Sequence, residues 1–551
     1  MASSSLLSLL LAAALLSVPG PERAAPPAEP DGPGPDSTLR GMVWAPPAAD
    51  GPALRALDRM AARGVTALRL TRLPSSEAVL TRADSLGLRL FVDLPVAFVS
   101  GPALRDSLRA AGPALSRLRR WARRHSSLAA VGLARHADTS VPAACPPLAD
   151  WTARLHEGPA PLRTYYVTPF PPGTDRCRSA TDLVLLDTRG RPAPAARRGA
   201  DADSTIGLGA LGTWTRPGAA RGLRAPHSPE RQARHLERAL TPLLDRSRVP
   251  AVFVYRWQDR AAPPLAHHYG LHDAQGTPRP AARVVTGLYR GTQRVFAFPA
   301  GTAPTDAPVG ALLTGWALLL LLGGFYARSA FVRQTVARYF AAPGFYRDAI
   351  REGREVAPLA NTVLLGVLGV ALGLVGLLAA RLAAPTPAAG LLVEALPPAL
   401  RGPLATGLRH PLLAGAAVGG LSIGLLGTWG LLLTGAARLA GTFSFAQALM
   451  LVTWPCWPAL LGMGVALVAA TAPPVAPELL GLLLLVGGGG TLLAVTGRVL
   501  YDYAQVTGLG PGWVLLLGLP SPLAVLLTAT AVLVGRYDLP LALLWHLVSR
   551  T

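Results

Sequence analysis

Four aspartates, Asp93, Asp138, Asp187 and Asp259, close apolar strand-like runs or stand just beyond them. Carboxylates gathered at one end of a sheet can divide hydrolytic work between a proton donor and a nucleophile or base. Beside them stand Trp44, Tyr165, Tyr166, Trp214 and Trp257, whose rings suit stacking on sugars, together with Arg135 and His136 at the end of another run. Each has a plainer use: an Asp caps a loop or pairs with a nearby Arg, and an aromatic ring packs a rim. The glutamates between Gly41 and Ala300 are Glu77, Glu157, Glu230 and Glu237, none at the end of such a run.

Other groupings carry less. Gly207-x-Gly-x-x-Gly212 spells a dinucleotide fingerprint, but Thr213-Trp-Thr-Arg-Pro217 follows, where no cofactor helix can begin. His267, His268 and His272 lack a carboxylate-rich surround and read as loop histidines, so neither a metal nor a cofactor is expected. Cys145 and Cys177 follow the fourth and fifth strand-like runs, and a disulfide and two free thiols are both open.

The elements that must position these groups follow a β/α rhythm. Strand-like runs at Gly41–Trp44, Val65–Leu70, Leu88–Leu94, Leu128–Ala134, Arg163–Thr168, Asp182–Leu186, Ser204–Leu208 and Ala251–Tyr255 alternate with helices or long loops. The clearest helices are Leu54–Arg63, Ser76–Leu86, Ala103–Arg124 and Ser228–Leu244, the last with Ser228 as N-cap and Pro229 in the first turn. Eight such units fit a TIM-type (β/α)8 barrel, with a doubly wound open sheet as the alternative.

Several of these segments resemble a known family. Gly64-Val-Thr-Ala-Leu-Arg69, Ala83-Asp-Ser-Leu-Gly-Leu88, Phe91-Val-Asp-Leu-Pro95, Val252-Phe-Val-Tyr-Arg-Trp-Gln-Asp259 and Tyr269-Gly-Leu-His-Asp-Ala-Gln-Gly276 with Pro278-Arg-Pro280 look like the barrel of the β-galactosidase and β-glucuronidase group, glycoside hydrolase family 2. The resemblance spans Leu39 to Gly291 and implies a carbohydrate-facing cleft at the carboxyl ends of the strands. It also implies a donor Glu within an Asn-Glu pair after the fourth strand and a nucleophilic Glu at the end of the seventh. Arg135 and His136 occupy the first place, or Ala134 and Arg135 with the register one earlier, and Ala210 occupies the second. A retaining mechanism needs both carboxylates, about 5 Å apart. Asp93 and Asp187 are the fallback pair for hydrolysis.

The chain as a whole belongs partly in lipid. It has 551 residues and a mean hydropathy of +0.36, high for a water-soluble protein. All 52 basic residues are Arg, and the net charge of +21 is spread through amphipathic helices and flanking loops rather than a compact stripe, which argues against nucleic acid. Residues 1–25 read as a signal peptide, with the apolar run Leu6–Leu16 stopped by Pro19, although no Lys or Arg precedes it. Residues 26–38 read as a solvated linker and residues 39–300 as the barrel.

Charge-free windows then run over Val309–Ala327, Ala357–Ala380, Pro411–Ala437, Leu439–Pro477, Leu479–Gly497 and Trp513–Gly535, each reaching the roughly 20 residues of a span. The segment 328–356 carries the densest Arg cluster, including Arg347 and Arg354, and is expected in the cytoplasm. That places the barrel and Trp257 outside, in a bacterial inner-membrane protein whose residues 536–551 form a short tail. The Gly487–Gly490 run reads as a helix-packing or bending site. Arg338-Tyr-Phe-Ala-Ala-Pro-Gly-Phe-Tyr-Arg347, Gly441-Thr-Phe-Ser-Phe-Ala-Gln447 and the Thr507-Gly-Leu-Gly510 junction resemble the bacterial Yip-type five-span domain, here over residues 357–535. That family implies a helical bundle and no chemistry.

Two functions follow from these readings. One is a catalytically degenerate saccharide-binding or scaffolding barrel on a membrane anchor, with the bilayer and a saccharide as partners and Trp44, Tyr165, Trp214, Trp257, Asp138 and Asp259 as contacts. The other is a membrane-tethered glycoside hydrolase using surviving Asp residues.

Overall fold

The computed structural model describes residues 38–157, 161–192, 205–216, 219–245, 249–260, 267–302, 308–354, 356–438, 441, 443–471 and 487–549. The expected signal peptide and nearly all of the expected linker lie outside them. Eight parallel strands close into a barrel: β1 (Leu39–Trp44), β2 (Ala67–Leu70), β3 (Arg89–Asp93), β4 (Leu128–Arg135), β5 (Arg163–Thr168), β6 (Leu183–Asp187), β7 (Ile206–Leu211) and β8 (Ala251–Val254). β1 pairs with both β2 and β8, so the open-sheet alternative falls. The outer helices are α1 (Asp50–Ala61), α2 (Ala78–Ser85), α3 (Gly101–Ala110), α4 (Gly112–Ala122), α5 (Cys145–His156), α6 (Pro229–Leu244) and α7 (Pro280–Arg290). The Ser228 hydroxyl accepts from the Arg231 amide at 3.0 Å, as an N-cap should.

Two expected elements are corrected. The single helix over Ala103–Arg124 is two, because Pro113 has no N–H to give the preceding turn. β7 runs three residues past Leu208. Its glycines do not end the strand; they make room inside the barrel, where a Cβ on Gly209 would lie 2.7 Å from that of Leu185. The lumen is filled the same way elsewhere. Phe91, Tyr165 and Phe253 interlock at centroid distances of 5.6 and 5.1 Å, and Gly41 is bare where Phe253 crosses it.

The second half is helical. It comprises α8 (Val309–Arg328), α9 (Ala330–Ala341), α10 (Pro343–Arg351), α11 (Pro358–Ala383), α12 (Pro387–Ala395), α13 (Pro398–Arg409), α14 (Pro411–Arg438), α15 (Phe445–Thr453), α16 (Pro458–Thr471), α17 (Gly488–Thr507), α18 (Pro511–Gly518), α19 (Pro522–Tyr537) and α20 (Leu541–Ser549). Among the described residues four stretches are long and apolar enough to cross a membrane: α8, α11, α14, and α15 with α16 joined by a short turn at Trp454–Cys456. α18 and α19 qualify together but bend by 55°. Residues 479–486 of the window Leu479–Gly497 lie outside the described residues, and 488–497 form the first half of α17. The segment 328–356 holds α9 and α10, and the supposed tail holds α20.

α11 and α14 pack most closely. Gly369 and Gly373 face Gly415 and Gly419, and a Cβ on Gly419 would sit 2.6 Å from the Gly369 carbonyl oxygen. Both helices carry small residues four apart, the spacing that lets backbones touch in lipid. Among the described residues a Cβ at Gly487 through Gly490 meets nothing within 4 Å, and the close glycine contacts are those of α11 with α14. Asn361, the chain's single Asn, accepts from the Trp454 indole at 3.1 Å and ties α11 to the break after α15.

Contacts sort the helix ends into two groups. At one end Asp502 receives Arg498 at 2.7 Å and Arg347 at 3.3 Å, and Gln447 donates to the Ile350 carbonyl. At the other, α12, α13 and α20 meet the barrel.

Candidate functional site

The strand ends converge on buried ionic clusters. Asp93, last in β3, receives Nε and Nη2 of Arg69 at 3.1 and 2.7 Å and the Tyr165 hydroxyl at 2.7 Å. Arg69 gives its remaining nitrogen to the Gly209 carbonyl at 2.9 Å. Gly132 leaves space for this cluster, since a Cβ there would press on Tyr165 and Asp93. Tyr165, expected at a binding face, is therefore a lumen residue with no exposure.

Asp187, last in β6, receives Arg189 at 2.7 Å and lies 2.8 Å from His136 Nε2. Burial would raise its pKa, but the Arg189 charge and the His136 contact hold it well below the carboxylate range. His136 sits at φ +55°, and burial lowers its pKa against the pull of Asp187. Ala210 pairs in register with Asp187 and brings only a methyl group. Neither fallback aspartate is free.

The other aspartates are also engaged. Asp138 accepts from Ser140 at 2.5 Å and lies 2.8 Å from His546 of α20. Asp259 accepts from the Gly270 amide and Arg279, both at 2.7 Å, and its pKa stays low although burial would raise it. Trp214 is stacked between His227 at 4.6 Å and His267 at 4.1 Å, so both its faces are covered. Trp257 carries the Arg63 guanidinium over its ring at 4.8 Å. Trp44 and Trp257 line a cavity of about 610 Å³ at the mouth. A second cavity, about 660 Å³, lies beside Trp214 and α6 and holds none of the strand-end carboxylates.

The mouth cavity has a roof from the helical half, which the sequence reading did not foresee. Its walls include Arg135, Arg256, Arg260 and Asp259 from the barrel, Glu394 of α12, Arg401 of α13 and the Tyr537–Pro540 link before α20. Arg189 joins the two halves by holding Glu394 at 2.9 Å as well as Asp187. Burial would raise the Glu394 pKa, yet Arg189 keeps it at about 2. Phe170 of the barrel packs with Leu391, Leu543 and Leu547. One signal was available: Glu394 is the single acidic residue between Glu355 and Glu478, placed amid apolar neighbours.

The three loop histidines serve separate ends: His267 bonds the Ala384 carbonyl at 2.8 Å, His268 approaches Asp259 at 3.4 Å, and His272 bonds the Trp257 carbonyl at 2.9 Å. Cys145 and Cys177 form a disulfide, with Cα atoms 4.8 Å apart.

No protein-family sequence model matches the chain, and no curated protein matches it. Among solved structures it is similar to a family 2 β-galacturonidase from Eisenbergiella tayi bound to galacturonate, at 15% identity and a TM-score of 0.42, over 47% of this chain and 52% of that one. It is also similar to a β-glucuronidase from Ruminococcus gnavus, at 16% identity and a TM-score of 0.40, over 46% of this chain and 50% of that one. A β-glucuronidase from an uncultured Clostridium species matches at 13% identity and a TM-score of 0.41, over 47% and 50%. The chain spans about half the length of each. Likeness of this degree assigns no substrate or activity.

The junction of the halves should be acid-sensitive. Burial keeps His267 neutral down to about 4, against an ordinary 6.5, and His235 likewise. The unfolded chain takes up these protons first, so stability is expected to fall as pH drops from 6.5 towards 4, by up to about 1.4 kcal/mol per pH unit for each histidine. Urea midpoints at neutral and acid pH should show a shallower slope for His267→Gln than for the wild type. Equal slopes would remove His267 from the explanation.

Proposed function

We propose that this protein is a membrane-anchored, extracytoplasmic barrel that binds saccharide at its mouth without hydrolysing it, carried by a Yip-type helical domain. One observation supports this most: every strand-end carboxylate named above is buried and already engaged, Asp93 by Arg69 and Asp187 by Arg189. Hydrolysis with retention needs one carboxyl free to donate a proton and another free to attack. His136 and Ala210 supply neither. Trp44 at the mouth cavity supplies ring surface for a sugar, beside Trp257 and Tyr255, whose rings carry guanidinium groups. The outward orientation is supported by the Arg cluster in 328–356 and the signal-like start.

A second reading, hydrolysis with Asp187 as nucleophile, has one point in favour: its neighbours keep that carboxylate ionised.

The full chain in right-side-out vesicles, offered membrane-impermeant fluorescent glycans and aryl glycosides, tests both. Retention of glycans with turnover at background level is expected, and Ala210→Glu alone should not restore turnover. Hydrolysis that vanishes in Asp187→Asn would establish the second reading. Retention only by inverted vesicles would overturn the orientation.

A further inference from the structure

The mouth cavity is built for negative charge. Arg135, Arg256, Arg260 and Arg401 line it, and among the described residues none of them enters an ion pair. Of the facing acids, Asp259 is neutralised from outside the cavity by Arg279, Glu394 shares the single charge of Arg189 with Asp187, and Asp538 stands at the rim, so the four arginines still outnumber the acids they face. The arginines therefore present a surplus of positive charge to the empty volume. Crowding confirms their closeness: burial first, and then the charges of Arg256 and Arg135, lower the pKa of Arg260.

Two of these side chains also hold hydrogen-bond donors in reserve. Arg256 is 8% exposed, gives one nitrogen to the Tyr255 hydroxyl at 2.7 Å, and has a buried Nε with no partner. The Nε of Arg135 is buried and without a partner as well. Unpaired buried donors are costly, and guanidinium groups gathered with free N–H groups suit an oxyanion that takes several hydrogen bonds at once.

The walls add a second character. Phe98, Val393, Leu396 and Leu539 are apolar, and the Tyr537–Pro540 link continues directly from α19, half of a bent pair apolar enough to enter a membrane. We propose that the cavity binds a phosphate-type oxyanion, carried either on a membrane amphiphile's headgroup or on a soluble sugar phosphate. The inference rests on the saccharide-binding reading for the site's place and goes further in naming the charged group.

The test uses the full chain in phosphatidylcholine nanodiscs, read by tryptophan fluorescence and thermal shift. The probes are dihexanoyl phosphatidylglycerol, glucose 1-phosphate, inorganic phosphate and glucose. A saturable response to the phosphate probes is expected, with Arg256→Gln and Arg135→Gln each weakening it by about tenfold or more. Arg401→Gln, at a partly exposed position, should weaken it without affecting folding, and Arg105→Gln on the outer helix α3 should leave it unchanged. A tighter response to the lipid probe assigns the headgroup source, and an equal or tighter response to glucose 1-phosphate assigns the soluble one. No saturable response to any phosphate probe, or one that survives all three cavity substitutions, overturns the inference. Glucose or neutral glycans binding while phosphates do nothing would leave the saccharide reading standing alone. Phosphates binding while glycans do nothing would do the reverse.

Discussion

Arg69→Met should destabilise the barrel by about 4 kcal/mol, because it strands the buried Asp93 carboxylate without its cation. Both side chains are almost fully buried, with relative exposures of 2% and 4%, so solvent offers Asp93 no replacement. The Tyr165 hydroxyl would remain as its donor. The double substitution Arg69→Met with Asp93→Leu removes the stranded charge and should recover much of the loss. Chemical denaturation of the full chain, followed by tryptophan fluorescence, reads both. A single variant within about 1 kcal/mol of wild type would mean that the pair is not what holds the lumen together.

Gly419→Leu is expected to force α14 away from α11 and to cost about 3 kcal/mol, the upper end of overpacking, because the group it meets is the Gly369 backbone. A flexible side chain could turn aside; a carbonyl oxygen in a helix cannot. Gly424→Leu, on the same helix with nothing within 4 Å of the added carbon, should stay within about 0.5 kcal/mol. Melting of the two variants in identical detergent makes the comparison, and equal melting temperatures would refute the close-contact account.

Much of this architecture was legible from residue order. The eight apolar runs became the eight strands because parallel barrel strands are buried on both faces and leave continuous hydrophobic stretches. The N-cap at Ser228 was legible because capping is a local hydrogen bond between neighbours. The end of β7 was not, since glycine signals a turn in one context and a packing gap in another. The long apolar helices were legible from length and apolarity, but which glycines pack was not, because that depends on which helices face each other.

The site divided along the same line. Asp93 and Asp187 were found at strand ends, where barrel geometry puts functional groups. Their partners' claim on them was hidden in side-chain direction. The roof was invisible for a different reason: Arg189 and Glu394 are 205 residues apart, and no local pattern records such a meeting. Trp214 looked available for stacking because sequence shows a ring and not what already covers it.

The meeting of His546 with Asp138 also sets a schedule. The two residues are 408 positions apart, so during synthesis the barrel can close once β8 is made, while Asp138 must wait for nearly the whole helical half. Until α20 docks, that buried carboxylate has Ser140 and no imidazole beside it. The mouth is thus the last part of the molecule to be finished, and its completion reports that the helical half has been made and folded.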